Sequence, residues 1–265
     1  MSILVVLPIE LLYEIQLFAA SHAFPQTCKS LHEIFRSSPP SYRAQYLIAS
    51  VESSRVRDHA ILTKILRYPI CNKDVLDAYF RMTKADSLKR WAPELPRRLF
   101  RSLVSKSSTS RSSTSSKRVT EQWTDRDPPL PFLRYLYSCP YLHPPNANSH
   151  DGYALTKAVQ AGFIPLVQFL LDHGATPHWK NNLPILIAIH HKDLCLVRML
   201  VERIETSKSS QDSKPKGKRR KLEDRVVVTQ EMLKAAVKYR AQDIVEYFTR
   251  EKGCIPDVQT LKLLM

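Results

Sequence analysis

Apolar residues recur along this chain at helical rather than strand spacing, and one block of them returns downstream. Between Asp151 and Pro177, Leu155 and Ala158 give a first helix one buried face, and Gly162 can supply the positive φ that ends it. Pro165 suits the first turn of a second helix with Val167, Leu170 and Leu171 on its core side, and Gly174 terminates that one. A shift of 30 positions puts Ile185, Ala188, Val197, Leu200 and Val201 on the equivalent sites. A further shift of 48 does the same for Leu233, Ala236, Val245 and Phe248, with a polar, basic insertion supplying the 18 extra residues. Helix pairs recurring about every 30 residues predict a solenoid in which each pair buries its apolar faces on its neighbours.

The N-terminal pattern is different. Leu7 to Ile15 predicts a helix with proline in its first turn, and the adjacent Leu11 and Leu12 point about 100° apart, so its apolar surface is wider than one stripe. A break at Ser21 to Pro25 follows. Thr27 is placed to cap a second helix bearing Leu31, Ile34 and Phe35, Pro39-Pro40 ends it, and Tyr42 to Ala49 predicts a third. Asp58 to Arg67 and Lys73 to Met82 read as a further pair around Leu62, Ile65, Leu66, Val75, Leu76 and Phe80. Pro131 to Tyr137 has the pattern of the outer helix of another repeat, and Asp257 to Met265 that of a closing helix. Residues 105–118 are only Ser, Thr, Lys and Arg, with nothing apolar to offset the entropy of ordering, so disorder is expected there. The expected organisation is therefore all-α. It comprises a helical segment at 1–50, a connector or degenerate repeat at 51–104, a linker at 105–125, and repeats over 126–265 with an insertion at about 206–226.

The repeated block resembles the ankyrin repeat, with Leu155, Ala158, Gly162, Val167, Leu170, Leu171, Gly174 and Ala175 on that family's pattern. Pro184, Ile185, Ala188, Val197 and Leu200 follow it again, but Lys192 stands where the glycine belongs. In the third unit Arg240 does, and Thr249 replaces the last leucine. Tyr153 and Leu183 replace the helix-initiating threonine, and the segment from Gly174 to Ile185 is short for a full hairpin finger. A helical-hairpin array of another class fits the same spacing. The ankyrin resemblance implies binding through the fingers and the exposed side of the inner helices, at Tyr153, Lys157, Gln160, His178, Trp179, Asn181 and Asn182. Trp179 is either an aromatic anchor for a partner or a filler of the shortened finger.

The start of the chain, Leu7-Pro8-Ile9-Glu10-Leu11-Leu12-Tyr13-Glu14-Ile15 with Thr27-Cys28-Lys29-Ser30-Leu31 after it, resembles an F-box. That resemblance implies docking on the Skp-type adaptor of a cullin–RING ubiquitin ligase through Leu7, Pro8, Leu11, Leu12 and Ile15, with the repeats holding a target. The alternative is a helical cap on an interaction scaffold or nuclear adaptor without ligase association. Under either reading the protein is not an enzyme.

Charge changes the picture little. Of the net +15, twelve charges fall in two stretches, 97–119 and 206–225, leaving the rest nearly neutral. No folded surface is then built to track a phosphate backbone, and nucleic acid is not expected as a partner. Lys214, Lys216, Lys218, Arg219, Arg220 and Lys221 form a compact run resembling a nuclear-import signal, which puts the nucleus ahead of the cytoplasm. Five scattered cysteines without a C-x-x-C read as reduced thiols rather than a disulfide framework. No apolar run is long enough to cross a bilayer, and no signal peptide or membrane partner is expected. No two of the five glycines are closer than ten residues, which excludes a P-loop or dinucleotide fingerprint. His190-His191 with Cys195, and Cys139 with His143, lack a second pair at metal-ligand spacing. No cofactor, metal, catalytic residue or small-molecule substrate is expected.

Overall fold

The computed structural model describes residues 6–54, 57, 60–83, 91–104, 123–203 and 224–264. Among these residues there is no strand, only an isolated bridge between Glu94 and Asn146, and the architecture is all-α. The chain divides into two compact units, one of residues 1–99 and 128–146, the other of 100–127 and 147–265. No helix among the described residues is long and apolar enough to cross a membrane.

The first unit opens with α1 (Ile9–Ala19), α2 (Lys29–Arg36) and α3 (Pro40–Glu52), with a 3₁₀ turn at Phe24–Gln26 between the first two. Pro8 is the N-cap of α1, where its missing N–H costs nothing. Leu12, Leu31, Phe35 and Tyr42 close a core, and Leu7, Tyr13, Leu17, Phe24, Cys28 and Ile34 pack around it. Tyr13 stacks on Tyr42 with centroids 4.1 Å apart, and Phe24 lies 5.6 Å from Phe35. Thr27 does not cap α2. Its hydroxyl turns back to the carbonyl of Phe24 at 2.8 Å, and Cys28 occupies the cap position without a side-chain hydrogen bond.

Then come α4 (Ile61–Arg67) and α5 (Lys73–Met82), both against α3. Asn72 caps α5 by accepting the Val75 amide at 2.9 Å, the arrangement that suits asparagine at a helix start. Arg98, at the start of the short α6 (Arg98–Arg101), donates to the carbonyls of Leu66 and Cys71 at 2.8 and 3.1 Å, satisfying groups left open beyond α4. The basic stretch 97–119 thus begins inside the folded unit. Burial pushes the Cys71 thiol up to about 12, only partly countered by Arg98, so it stays a protonated core group. Then α7 (Leu130–Ser138) joins this unit rather than the repeats: Tyr135 donates its hydroxyl to the Asp77 carboxylate, and the Lys73 ammonium lies 5.6 Å from the Tyr135 ring.

The second unit is a succession of helix pairs: α8 (Ser149–Ala161) with α9 (Ile164–Asp172), α10 (Trp179–His190) with α11 (Leu194–Val201), and α12 (Gln230–Lys238) with α13 (Gln242–Glu246). A π-helical turn at Tyr247–Glu251 extends α13, and α14 (Val258–Leu264) packs on α12. One layer runs α8–α10–α12 and the other α9–α11–α13, because the apolar face of each pair is covered by the next.

The turns inside the pairs share one backbone design. Gly162, Lys192 and Arg240 all take positive φ, at 68°, 57° and 54°. In each, the next amide (Phe163, Asp193, Ala241) returns to the carbonyl of Ala158, Ala188 or Ala236 at 3.0, 3.2 and 3.0 Å. That is a left-handed helix stop, made with glycine once and tolerated by long side chains twice. The entry turns also rhyme: His150-Asp151-Gly152 and, 30 residues on, Lys180-Asn181-Asn182 are both left-handed. Regular helix therefore starts just before Pro184, which sits in a first turn and breaks no hydrogen bond.

Trp123, which sequence placed in the linker at 105–125, is anchored. Its indole stacks on Phe163 at 4.6 Å, and its N–H reaches the Ala161 carbonyl at 2.9 Å. Residues 105–122 of that linker and 206–223 of the insertion lie outside the described residues.

Candidate protein-binding surfaces

Two surfaces gather the side chains that sequence nominated. The first is α1. Leu12 is fully buried in the helical trio, which corrects its assignment as a partner-facing residue: it has no surface to offer. Leu7 also turns toward that core, while Ile15 is half-buried. Pro8 is exposed, Leu11 is 45 % accessible, and Phe18, one helical turn beyond Ile15, is 90 % accessible. Leu11, Ile15 and Phe18 lie at i, i+4 and i+7, so they form one stripe beside the buried one. Sequence reading missed Phe18 because it stopped at the end of the recognisable motif, although the same spacing leads to it.

The second surface lies on the α8–α10–α12 layer. A groove of about 760 Å³ is lined by Lys157 and Gln160, both nominated, with Leu183, Leu186 and Ile187 of α10 and Tyr239 just past α12. Arg101, His190 and His191 add basic groups, and no carboxylate among the described residues lines it. Lys157 donates to the Gln160 side-chain carbonyl at 2.9 Å, and the His190 and Tyr239 rings meet edge-on at 4.8 Å. Ile187 and His190 were legible in principle, since they are Lys157 and Gln160 moved by the 30-residue repeat.

The other nominated residues sit apart, at the entry to α10. His178 and Asn181 are exposed, and the side-chain oxygen of the half-buried Asn182 finds no donor among the described residues. Tyr153 is half-buried at the corresponding end of α8. Trp179 combines both roles foreseen for it. It is 42 % accessible, yet a Cβ built on Gly152 would lie 3.2 Å from its ring, so a side chain there would push the indole back by a few tenths of an ångström. Asn148 ties this region together, donating to the Gly174 carbonyl at 3.0 Å and accepting the Thr176 amide at 2.8 Å.

Below the insertion, a polar cluster fixes where the chain leaves and returns. Lys252 pairs with Glu202 at 3.1 Å and Asp224 at 2.8 Å, and Tyr247 donates to Glu202 at 2.9 Å. Burial alone would raise the Glu202 carboxyl, but the bonds from Lys252 and Tyr247 and the charge of Arg198 outweigh it, holding it below the usual carboxylate range. For Lys252 burial is outweighed in the same way by Asp224 and Glu202, and its ammonium is held above the usual range.

The six residues of the import-like motif, Lys214 to Lys221, lie outside the described residues. The five cysteines are free; Cys139 is buried and Cys195 exposed. Among the described residues, no three potential ligands are grouped to hold a metal ion. No protein-family model, no curated protein and no solved structure matches this chain.

Proposed function

We propose that this chain is a non-catalytic interaction protein. In this reading its F-box-like segment docks on the Skp-type adaptor of a cullin–RING ubiquitin ligase, and its ankyrin-like helix pairs hold the target. The observation that carries the reading is the division of α1: Leu12 closes a three-helix core while Pro8, Leu11 and Phe18 stay exposed next to it. A helix acting only as a cap needs a single apolar stripe, and a second stripe facing water marks a surface awaiting a partner. Support for target binding comes from the groove on the α8–α10–α12 layer, lined by Leu183, Leu186 and Ile187 with Arg101 and Lys157, and by no carboxylate among the described residues. Its chemistry suits an acidic segment carrying apolar side chains.

The test is capture of a purified Skp-type adaptor by the full chain. Replacing Pro8, Leu11 and Phe18 together by alanine is expected to abolish capture with unchanged helicity, because none of the three closes the core. Failure of the intact protein to bind, at concentrations where a known F-box protein does, sinks the ligase reading. A second reading, a scaffold or nuclear adaptor without a ligase, draws on the compactness of the unit that contains the helix pairs. Nuclear residence through Lys214 to Lys221 belongs to both readings.

A further inference from the structure

A cavity of about 460 Å³ opens in the first unit between the helical trio and the α4–α5 turn, within the size range of small-molecule sites. Its walls are aromatic and apolar: Phe35, Tyr42, Tyr46, Tyr68, Pro69 and Ile70. Four basic side chains, His22, His32, Arg36 and Arg43, share the lining, and among the described residues no carboxylate does. None of the four forms an ion pair among the described residues. Arg43 is held in place, donating through Nε to the Ser38 hydroxyl at 3.2 Å and through Nη2 to the Arg36 carbonyl.

Gln16 sits at the same cavity and is only 5 % accessible. Its Oε1 accepts the Tyr42 hydroxyl at 2.6 Å, which leaves the amide NH2 as the group that can donate to a ligand. An amide donor held in place by its own carbonyl contact at a cavity wall suits an acceptor brought by a ligand. Aromatic walls, an amide donor and two arginines without an ion-pair partner among the described residues together describe the complement of one kind of molecule.

We propose that this cavity binds a small carboxylic acid with an aromatic body. The ring lodges among Tyr46, Tyr68 and Ile70, and the anionic group takes its hydrogen bonds from Gln16 and the basic rim. Such a ligand bridges the trio and the α4–α5 turn. The site is independent of the adaptor and target surfaces, since neither the exposed stripe of α1 nor the α8–α10–α12 groove contributes to it.

The experiment titrates the full chain with 4-phenylbutyrate and, separately, with its uncharged isostere 4-phenylbutyramide, by calorimetry and by ligand-observed NMR. The acid is expected to bind about tenfold or more tightly than the amide, as a charge-assisted contact requires. Arg36→Gln with His32→Gln, both exposed side chains, is expected to bring the two ligands level while leaving the helical signal unchanged. Ile70→Trp, which fills the cavity, is expected to abolish binding of both. Equal affinity of acid and amide in the unsubstituted protein overturns the proposal. So does binding that survives Ile70→Trp, or no binding of the acid up to about 10 mM.

Discussion

The amide of Arg225 donates to the carbonyl of Val201 at 2.7 Å, pinning together two residues that bracket nearly all of the basic insertion. The Arg225 side chain strengthens the closure, with Nε on the Glu202 carbonyl at 3.2 Å and Nη1 on that of Leu171 at 3.1 Å. The helix pairs on either side are therefore joined as if the insertion were absent.

Replacing residues 206–221 by Gly-Ser is accordingly expected to leave the melting temperature within about 3 °C, because the closure is made outside the removed segment. A larger loss would mean that the insertion packs on the repeats. Alanine at Lys218, Arg219, Arg220 and Lys221 should likewise leave melting unchanged while moving the protein from nucleus to cytoplasm; an unaltered distribution removes the targeting role.

The left-handed stops at Lys192 and Arg240 carry a steric cost that glycine avoids. Lys192→Gly and Arg240→Gly are each expected to stabilise the fold by about 0.5–1 kcal/mol, whereas Gly162→Ala, at φ 68°, should destabilise it by a similar amount. Chemical denaturation of the three variants measures this directly, and destabilisation by both glycine substitutions would contradict the turn geometry.

Trp179 makes a separable prediction. With close to half of its surface exposed, Trp179→Ala should spare the fold yet abolish capture of a target by the repeats. Gly152→Ala should lower stability through both its φ of 67° and the approach to the indole, and the indole part of that loss should vanish in the Trp179→Ala background. If Trp179→Ala alone unfolds the protein, the residue is core and not an anchor.

The cluster at Glu202 and Lys252 predicts a pH window. The Glu202 carboxyl lies below its ordinary range when folded, so its contribution is complete above the unfolded carboxylate pKa and is lost as pH falls through the folded one. Lys252 is shifted upward, so its contribution is complete below the unfolded lysine pKa and is lost as pH rises through the folded one. Glu202→Gln should therefore destabilise by about 1 kcal/mol across neutral pH, a figure reduced by the partial exposure of the pair. The difference from the parent should fade in acid, where both chains carry a neutral side chain at 202. A difference that persists unchanged below pH of about 3 would rule out the ionised pair as its source.

Much of the helical layout was readable from apolar spacing, and α5 at Lys73–Met82 matched its expected limits. The offsets of 30 and 48 located equivalent residues, because a helix pair that must cover its neighbour needs the same apolar positions in each copy. Thr27 shows why caps were less legible. A hydroxyl before a helix has several backbone partners within reach, and here it took the Phe24 carbonyl behind it. Lys192 and Arg240 show that the absence of glycine does not report a change of backbone: the hydrogen bonds around the stop hold φ positive whatever side chain is present.

What sequence alone determined was the set of helices, their pairing in the repeated part, and the confinement of excess charge to two stretches. Those properties follow from local periodicity and composition. The tertiary structure decided which face of α1 was left over, since Leu11 and Leu12 are equally apolar and only packing against Leu31, Phe35 and Tyr42 makes one core and the other surface. It also decided that Arg98, Trp123 and Arg225 belong to the folded units, and that Gln16 and four basic residues surround one aromatic cavity. These are contacts between residues far apart in the chain, set by the long-range packing of helices, and no periodicity within a single helix encodes them.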